Sequence, residues 1–337
     1  APTPKMPAIQ MKARPKNFDG GAMPRLSHTA PETVGAAPET VGAAIDRCAR
    51  ALIRARVHFG HGTDNARDEA AELVFFAAGI AHSKGLTAYG KPLDPRRRET
   101  IDELLRRRIT GRLPLAYLTH RAFFAGLELY VDERVLVPRS PIAELIQKRF
   151  APWAKARGTR RILDIGTGSG AIALACAKAF PRAQVDAVDI SAAALAVCRR
   201  NVRRLGLTRR VRVLRSDYFA AVAGSRYDII VSNPPYVGRA EMRALPREYG
   251  HEPRLGLASG IDGLNAVRAI LPAARRHLVD AGILVVEVGN TEGALLRAFP
   301  RLPFIWPEIA MGGGGVFVLR AADLEQAAGL ERAADPR

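Results

Sequence analysis

Two spacings of apolar residues divide this chain. Ile45, Ala49, Leu52 and Ile53 recur at the three-to-four-residue interval of an amphipathic helix. The run His58-Phe59-Gly60-His61-Gly62-Thr63-Asp64-Asn65 interrupts that stripe, and Asp64 is placed to cap a second helix running through Phe76. Asp94-Pro95 offers a cap and a first-turn proline to a third helix. That helix carries Ile101, Leu104, Leu105 and Ile109 on one face and arginines on the others, a face expected to be solvated. From Arg121 to Val137 the pattern shortens to a hairpin: Ala122-Phe123-Phe124, a turn at Gly126, then Leu127 to Val131. Another helix is expected near Ile142.

Beyond Arg161 the period changes to short continuous apolar runs at 161–165, 184–189, 211–215, 227–232 and 283–288. Such runs, separated by helical stretches, predict parallel strands buried on both faces of an α/β sheet. Phe304-Ile305-Trp306 and Val316 to Leu319 are expected to form a final antiparallel pair. The pattern divides the chain into a Pro-, Ala- and Gly-rich extension expected to be disordered (1–43), a helical domain (44–120), a hairpin linker (121–137), a catalytic domain (138–321) and a tail (322–337). Within the extension, Ala30 to Ala36 is repeated at once as Ala37 to Ala43; two such short copies build no solenoid.

The chemistry gathers at the ends of the strands. The first ends Asp164-Ile165-Gly166-Thr167-Gly168-Ser169-Gly170, an acid and a glycine-rich turn before a helix. Glycines allow close backbone approach to a ligand, which by itself would suit NAD, FAD or a nucleotide equally. The second strand ends in Asp189, placed to accept hydrogen bonds from both hydroxyls of a ribose. The third leads to Ser216-Asp217-Tyr218 and the fourth to Asn233-Pro234-Pro235-Tyr236. Two prolines stiffen that last loop. The Asn carbonyl can accept from an NH2 group while the Tyr stacks on a planar amide or base. Together these suit methylation of a planar, weakly basic nitrogen. No P-loop lysine motif is present, which argues against ATP or GTP chemistry.

Composition changes the picture little. The formal net charge is +18 and the pI about 10.6, almost wholly through arginine. Replacement of Lys by Arg under genome composition accounts for such a balance, as does a phosphate-rich partner such as ribosomal RNA. Cys48, Cys176 and Cys198 fall in predicted helices without metal-like spacing, so no metal is expected and the thiols point to a reducing cytoplasm. The two histidines at 58 and 61 have no further ligands nearby. No apolar run is long enough to span a membrane, and no signal peptide is evident.

In the order of its strand ends the chain resembles the class I S-adenosylmethionine-dependent methyltransferases acting on an amino group. This implies a Rossmann-like, mostly parallel seven-stranded sheet. The flanks are similar to the bacterial N(5)-glutamine methyltransferases. Segments 58–65 (HFGHGTDN), 130–145 (YVDERVLVPRSPIAEL), 249–265 (YGHEPRLGLASGIDGLN), 287–290 (EVGN) and 312–319 (GGGGVFVL) resemble the branch acting on ribosomal protein L-three of the large subunit. The match covers roughly residues 45 to 321; Phe123 and Tyr218 stand where relatives often carry Trp, which keeps an aromatic wall.

The resemblance implies that Asn233 Oδ1 and the Pro234 carbonyl accept the two amide protons, with Pro235 stiffening the loop. Tyr236 and Phe124 would flank the amide, and Arg139 would help to position the substrate. Asp164 with Gly166, Thr167, Gly168 and Gly170 would hold the methionine part of S-adenosylmethionine, Asp189 the ribose, and Asp217 and Tyr218 the adenine, with Ile190 and Asn233 as further cofactor contacts. Plainer roles compete: a helix-cap carboxylate for Asp164, core packing for Tyr218 and Phe124, an ion pair for Arg139. The implied partner is ribosomal protein L-three in assembling large subunits, with contact to rRNA. Methylation of release factors, amino methylation of adenine or guanine in nucleic acid, and a non-enzymatic RNA-binding role stay open.

Overall fold

The computed structural model describes residues 38–310 and 312–325, which belong to one compact unit. Residues 1–37 and 326–337 lie outside the described residues, and with them most of the expected extension and tail. The extension ends earlier than the sequence suggested. Helix α1 spans Val41–Arg54, and its cap is Thr40, whose side chain accepts from the Ala43 amide. The start of α1 is clasped by the amides of Val41 and Gly42, which donate to the carbonyls of Lys91 and Tyr89. The stripe Ile45, Cys48, Ala49, Leu52 is buried as its spacing predicts.

Helix α2 spans Ala66–Ala78, and its cap is Asn65 rather than Asp64: Asn65 Oδ1 accepts from the Asp68 amide at 2.9 Å. One residue of register separates the two candidates, and the capping geometry of a β-region residue whose oxygen reaches three positions ahead selects the second. Helix α3, Pro95–Gly111, is capped by Asp94 as expected, its Oδ1 accepting from Arg97 N at 2.9 Å.

One arginine of α3 departs from the solvated face. Arg108 is fully buried. Its Nε donates to Glu69 Oε1 at 2.6 Å and its Nη2 to the His58 carbonyl at 2.6 Å, and Nη1 stands 3.4 Å from Glu248 Oε1. Position 108 continues the stripe of Ile101, Leu104 and Leu105 by another turn, so the helical period itself carries the charge inward.

After α4 (Leu115–Thr119) comes the hairpin of β1 (Ala122–Phe124) and β2 (Leu127–Leu129), with Gly126 at φ 80° in the turn. Tyr130 leaves the hairpin because Asn201 takes its backbone: Asn201 Oδ1 accepts from Tyr130 N at 2.8 Å and Asn201 Nδ2 donates to Tyr130 O at 2.9 Å. Helix α5 (Ile142–Gln147) follows. The sheet then alternates with helices in the order β3 (Arg161–Ile165), α6 (Ala171–Ala179), β4 (Gln184–Asp189), α7 (Ala192–Arg204), β5 (Val211–Arg215), β6 (Tyr227–Ser232). Short helices α8 (Arg239–Ala244) and α9 (Arg254–Leu257) occupy the long loop before α10 (Asn265–His277), β7 (Leu278–Glu287), α11 (Glu292–Ala298) and β8 (Val316–Arg320).

The sheet has six strands in the order β5-β4-β3-β6-β7-β8, parallel except for β8. The fold is the expected α/β class, but the seventh strand is reduced to a single bridge between Ile305 and Val318. Pro303 and Pro307 flank Phe304-Ile305-Trp306 and lack the N–H groups a longer ladder needs. Successive residues of each central strand feed opposite cores. Ile162, Val185 and Ile229 pack with α5 and α6 through Ile146 and Leu174. Leu163, Val188 and Ile230 pack with α10 through Val267 and Ile270. The strand order reverses between β3 and β6, the switch point where open α/β sheets leave a crevice at their carboxyl ends.

The three cysteines are buried and free in helices. Among the described residues no group of His, Cys, Asp or Glu could hold a metal, and no helix is long and apolar enough to cross a membrane.

The contacts of Arg108 with Glu69 and Glu248 take charge out of water on both sides, so its loss strands carboxylates. Replacing Arg108 by Ala leaves Glu69 buried without its cation and Glu248 with Arg112 alone, at 3.5 Å, and unfolding stability should fall by about 3–5 kcal/mol. Urea unfolding checks this: a loss below about 1 kcal/mol, the range of an exposed pair, would show the pair to be solvated in solution.

Candidate active site

A cleft of about 410 Å³ opens over the carboxyl ends of β3, β4, β5 and β6. Its floor at one end is the turn Gly166-Thr167-Gly168. Gly166 and Gly168 have φ of 71° and 55°, a region disfavoured for residues with a Cβ. Nothing lies within 4 Å of where a Gly168 Cβ would stand, so the backbone there is open to a ligand. Asp189 braces this turn. Its Oδ2 accepts from Gly168 N at 2.9 Å and its Oδ1 from Ser191 N at 2.8 Å. Burial raises the Asp189 carboxyl above the usual carboxylate range, and these backbone donors oppose the rise.

Ile190 lines the cleft while 47% exposed, an apolar surface facing the opening. Asp217 and Tyr218 line it from the end of β5. Tyr218 sits at φ 44°, held there by Ser216, whose hydroxyl donates to the Tyr218 carbonyl at 2.8 Å and accepts from Ala221 N at 3.0 Å.

Two residues of the glycine-rich motif stand outside the cleft lining. Gly170 lines no part of it; a Cβ there would fall 2.8 Å from Cys198 Sγ, so this glycine serves the packing of α6 on α7. Asp164 is fully buried beneath the turn. Its Oδ2 accepts from the Thr167 hydroxyl at 2.6 Å and from Ala173 N, in the first turn of α6, at 3.0 Å. The plainer role, a carboxylate capping the helix, is therefore present. Its other oxygen has no partner among the described residues, and burial raises its pKa to about 7.

Asn233, Pro234, Pro235 and Tyr236 also line the cleft, together with Phe124 and Arg139. Phe124 is 5% exposed and belongs to the hydrophobic core, so packing and lining coincide in one ring. Tyr236 is clamped. Its hydroxyl donates to Glu287 Oε1 at 3.0 Å, and the Ser140 hydroxyl donates to Glu287 Oε2. Burial raises the Glu287 carboxyl against these two donors. Gly289 lies against the ring: a Cβ there would stand 2.5 Å from Tyr236 Cε2.

Arg139 lines the cleft with its guanidinium already engaged. Nη2 donates to Glu252 Oε2 at 2.7 Å, Nη1 to Glu252 Oε1 and to the Val137 carbonyl, and the group lies over the Tyr249 ring. The ion pair is real, and it is part of the wall. Burial alone would push Glu252 up; His61 and Arg139 outweigh it and hold the carboxyl down at about 2. His61 stands 3.7 Å from Glu252 Oε2, an ion-pair separation too long for a hydrogen bond.

Sequence reasoning thus missed Glu287, Ser140, Glu252, Tyr249 and Gly289. For Glu287 a signal existed: like Asp189 it ends a parallel strand at the ligand edge of the sheet. A site of this form can hold an extended ligand across the switch point and present a planar group to a rigid Asn carbonyl.

The methyltransferase small domain family matches residues 147–246. A ribosomal protein uL3 glutamine methyltransferase of Xylella fastidiosa (strain 9a5c) is 48% identical over 277 residues, covering 82% of this chain and 88% of that protein. Its counterpart in strain Temecula1 is 47% identical over the same coverage. Among solved structures, a methyltransferase from Pyrococcus furiosus aligns at TM-score 0.42 and 23% identity, covering 58% of this chain and 89% of that one.

The depressed Glu252 carboxyl has a consequence for acid stability. A carboxyl held below its ordinary 4.5 in the fold contributes stability that is present above 4.5 and is lost as pH falls toward about 2. Urea midpoints measured across that window should fall more steeply for the native chain than for Glu252→Gln; parallel slopes would dissociate Glu252 from the acid response.

Proposed function

The chain belongs to the ribosomal protein uL3 glutamine methyltransferases, and we propose on that basis that its cleft transfers a methyl group from S-adenosylmethionine to the side-chain amide nitrogen of a glutamine in ribosomal protein uL3. The observation carrying this reading is that one cleft is lined both by the open Gly166–Gly168 turn with Asp189 and by the stiff Asn233-Pro234-Pro235-Tyr236 loop.

The residues fit the methyl donor. The turn leaves its backbone bare, Asp189 keeps unused lone pairs for ribose hydroxyls, and Ile190, Asp217 and Tyr218 offer an apolar and aromatic slot for adenine. Thr167 and the turn amides would take the methionine part, with Asp164 and Gly170 supporting the turn from beneath. S-adenosylmethionine, when bound, supplies an electrophilic methyl group on a sulfonium.

The acceptor amide is a poor nucleophile because its lone pair is delocalised into the carbonyl. What the chain provides is position. Asn233 Oδ1 and the Pro234 carbonyl accept the two amide N–H bonds and fix the nitrogen, while Tyr236 and Phe124 flank the amide plane. Arg139, immobilised by Glu252, keeps its part of the cleft lining in place. The helical residues 44–120 and the hairpin 121–137 would present the loop of uL3. A preference for uL3 in assembling subunits rests on the net charge of +18 and on Arg96, Arg97, Arg106 and Arg107, exposed along α3. The three buried free thiols suit a reducing compartment such as the cytoplasm.

Replacing Asn233 by Ala should lower turnover by on the order of 10²-fold with little change in cofactor affinity, as for the loss of one preorganised contact. Methyl transfer from labelled S-adenosylmethionine measures this, and full activity would remove Asn233 from the role. Asp189→Ala should weaken cofactor binding by roughly 1.5–3 kcal/mol in calorimetry, the range of hydrogen bonds to a charged group. Offered purified uL3, assembly particles, release factors and DNA side by side, the enzyme should label uL3; preferential labelling of release factors or DNA would reject the substrate.

A further inference from the structure

We infer that Glu287 is a positioning residue for methyl transfer, holding the Tyr236 ring at the acceptor end of the cleft through its hydroxyl. The inference rests on the assignment of Tyr236 to the acceptor end. It starts from a buried acid that the reading of the cleft leaves without work. Glu287 closes β7 with 4% exposure and does not line the cleft itself. Each of its oxygens is taken by one hydroxyl, Oε1 by Tyr236 and Oε2 by Ser140. Both hydroxyls belong to residues that do line the cleft, on opposite sides of it in sequence.

A carboxylate in this position is costly to bury, and two neutral donors compensate it only in part. A Tyr ring packed in a core needs no such acid. The hydroxyl contact instead pins the far end of the ring, the point that rotation about the Cα–Cβ bond displaces most. The opposite constraint comes from the backbone. Gly289 stands against Cε2, Cδ2 and Cζ of the same ring, and Gly315 permits this, since a Cβ at Gly315 would fall 2.1 Å from the Gly289 carbonyl oxygen. The ring is thus held at its tip by Glu287 and along its edge by Gly289, two residues further on. Ser140, on the acid's other oxygen, fixes the carboxylate that holds the ring.

The role is orientation, so the acid's charge matters less than its acceptor oxygens. Glu287→Gln should keep turnover within about threefold, because the amide oxygen can still accept from Tyr236. Glu287→Ala should lower kcat by on the order of 10- to 10²-fold, the scale of a misplaced reacting group. KM for S-adenosylmethionine should stay close to that of the native enzyme. Tyr236→Phe should produce a drop of similar size, and Glu287→Ala should add nothing in the Tyr236→Phe background. Gly289→Ala, which pushes the ring from its other edge, should lower kcat without loss of cofactor binding.

The assay is methyl transfer into uL3, with cofactor affinity by calorimetry as the check on folding. If Glu287→Ala fails to bind cofactor, Ser140→Ala replaces it; its smaller loss of kcat should likewise vanish in the Tyr236→Phe background. Multiplying losses in the double variant would overturn the inference, as would native kcat in the single ones. So would collapse of activity in Glu287→Gln, which would give the charge itself a part in the chemistry. Failure of the native enzyme to methylate uL3 would instead overturn the substrate reading, and is seen before any variant is made.

Discussion

Charge buried in pairs ties the helical part of this chain to its sheet. Glu248 and Glu252 lie four residues apart in the loop after β6, and each faces an arginine from elsewhere in the chain: Arg108 from α3 and Arg139 from the segment before α5. Removing such groups from water costs several kcal/mol per ion, and only a close partner offsets that. The contact is therefore specific in a way that apolar packing is not, because a shift of a few ångströms leaves a charge alone. Tyr249, between the two acids, lies under the Arg139 guanidinium and beside the His61 ring at 4.6 Å. The outer wall of the cleft inherits its geometry from a helix that never touches the cleft.

The sheet and the cleft's floor were legible because they depend on local rules. Short apolar runs gave the strands, and acids and glycines at their ends gave the crevice. What local rules could not supply was the use made of each residue. Asp164 and Gly170 read as ligand contacts by motif, yet one caps α6 from beneath and the other admits Cys198, a neighbour distant in sequence. Phe304-Ile305-Trp306 has strand composition, but prolines on both sides leave only one bridge. Arg108 read as solvated by its charge, although its place in the helical period pointed inward. In each case the deciding partner lies far along the chain.

The site's acceptor end illustrates a division of labour between side chains and backbone. Prolines remove freedom from the loop, glycines at 263 and 289 remove bulk beside Tyr236, and Gly315 removes it beside Gly289. A weakly nucleophilic amide gains from such rigidity, because alignment lowers the barrier without asking more of the nucleophile.

The clasp at the start of α1 bears on the duplicated segment. The second copy, Ala37 to Ala43, contains Thr40, which caps the helix, and Glu39, whose carboxylate takes Arg47 at 2.8 Å and whose carbonyl accepts from Leu93. The first copy, Ala30 to Ala36, is identical. Excision of either heptad from the gene therefore yields one and the same polypeptide, still ending in a Thr, Glu and Val at the required distance before Ala44. Slippage during replication that adds or subtracts a unit here leaves the same seven residues before Ala44 each time, so the cap and the clasp of α1 are kept in sequence.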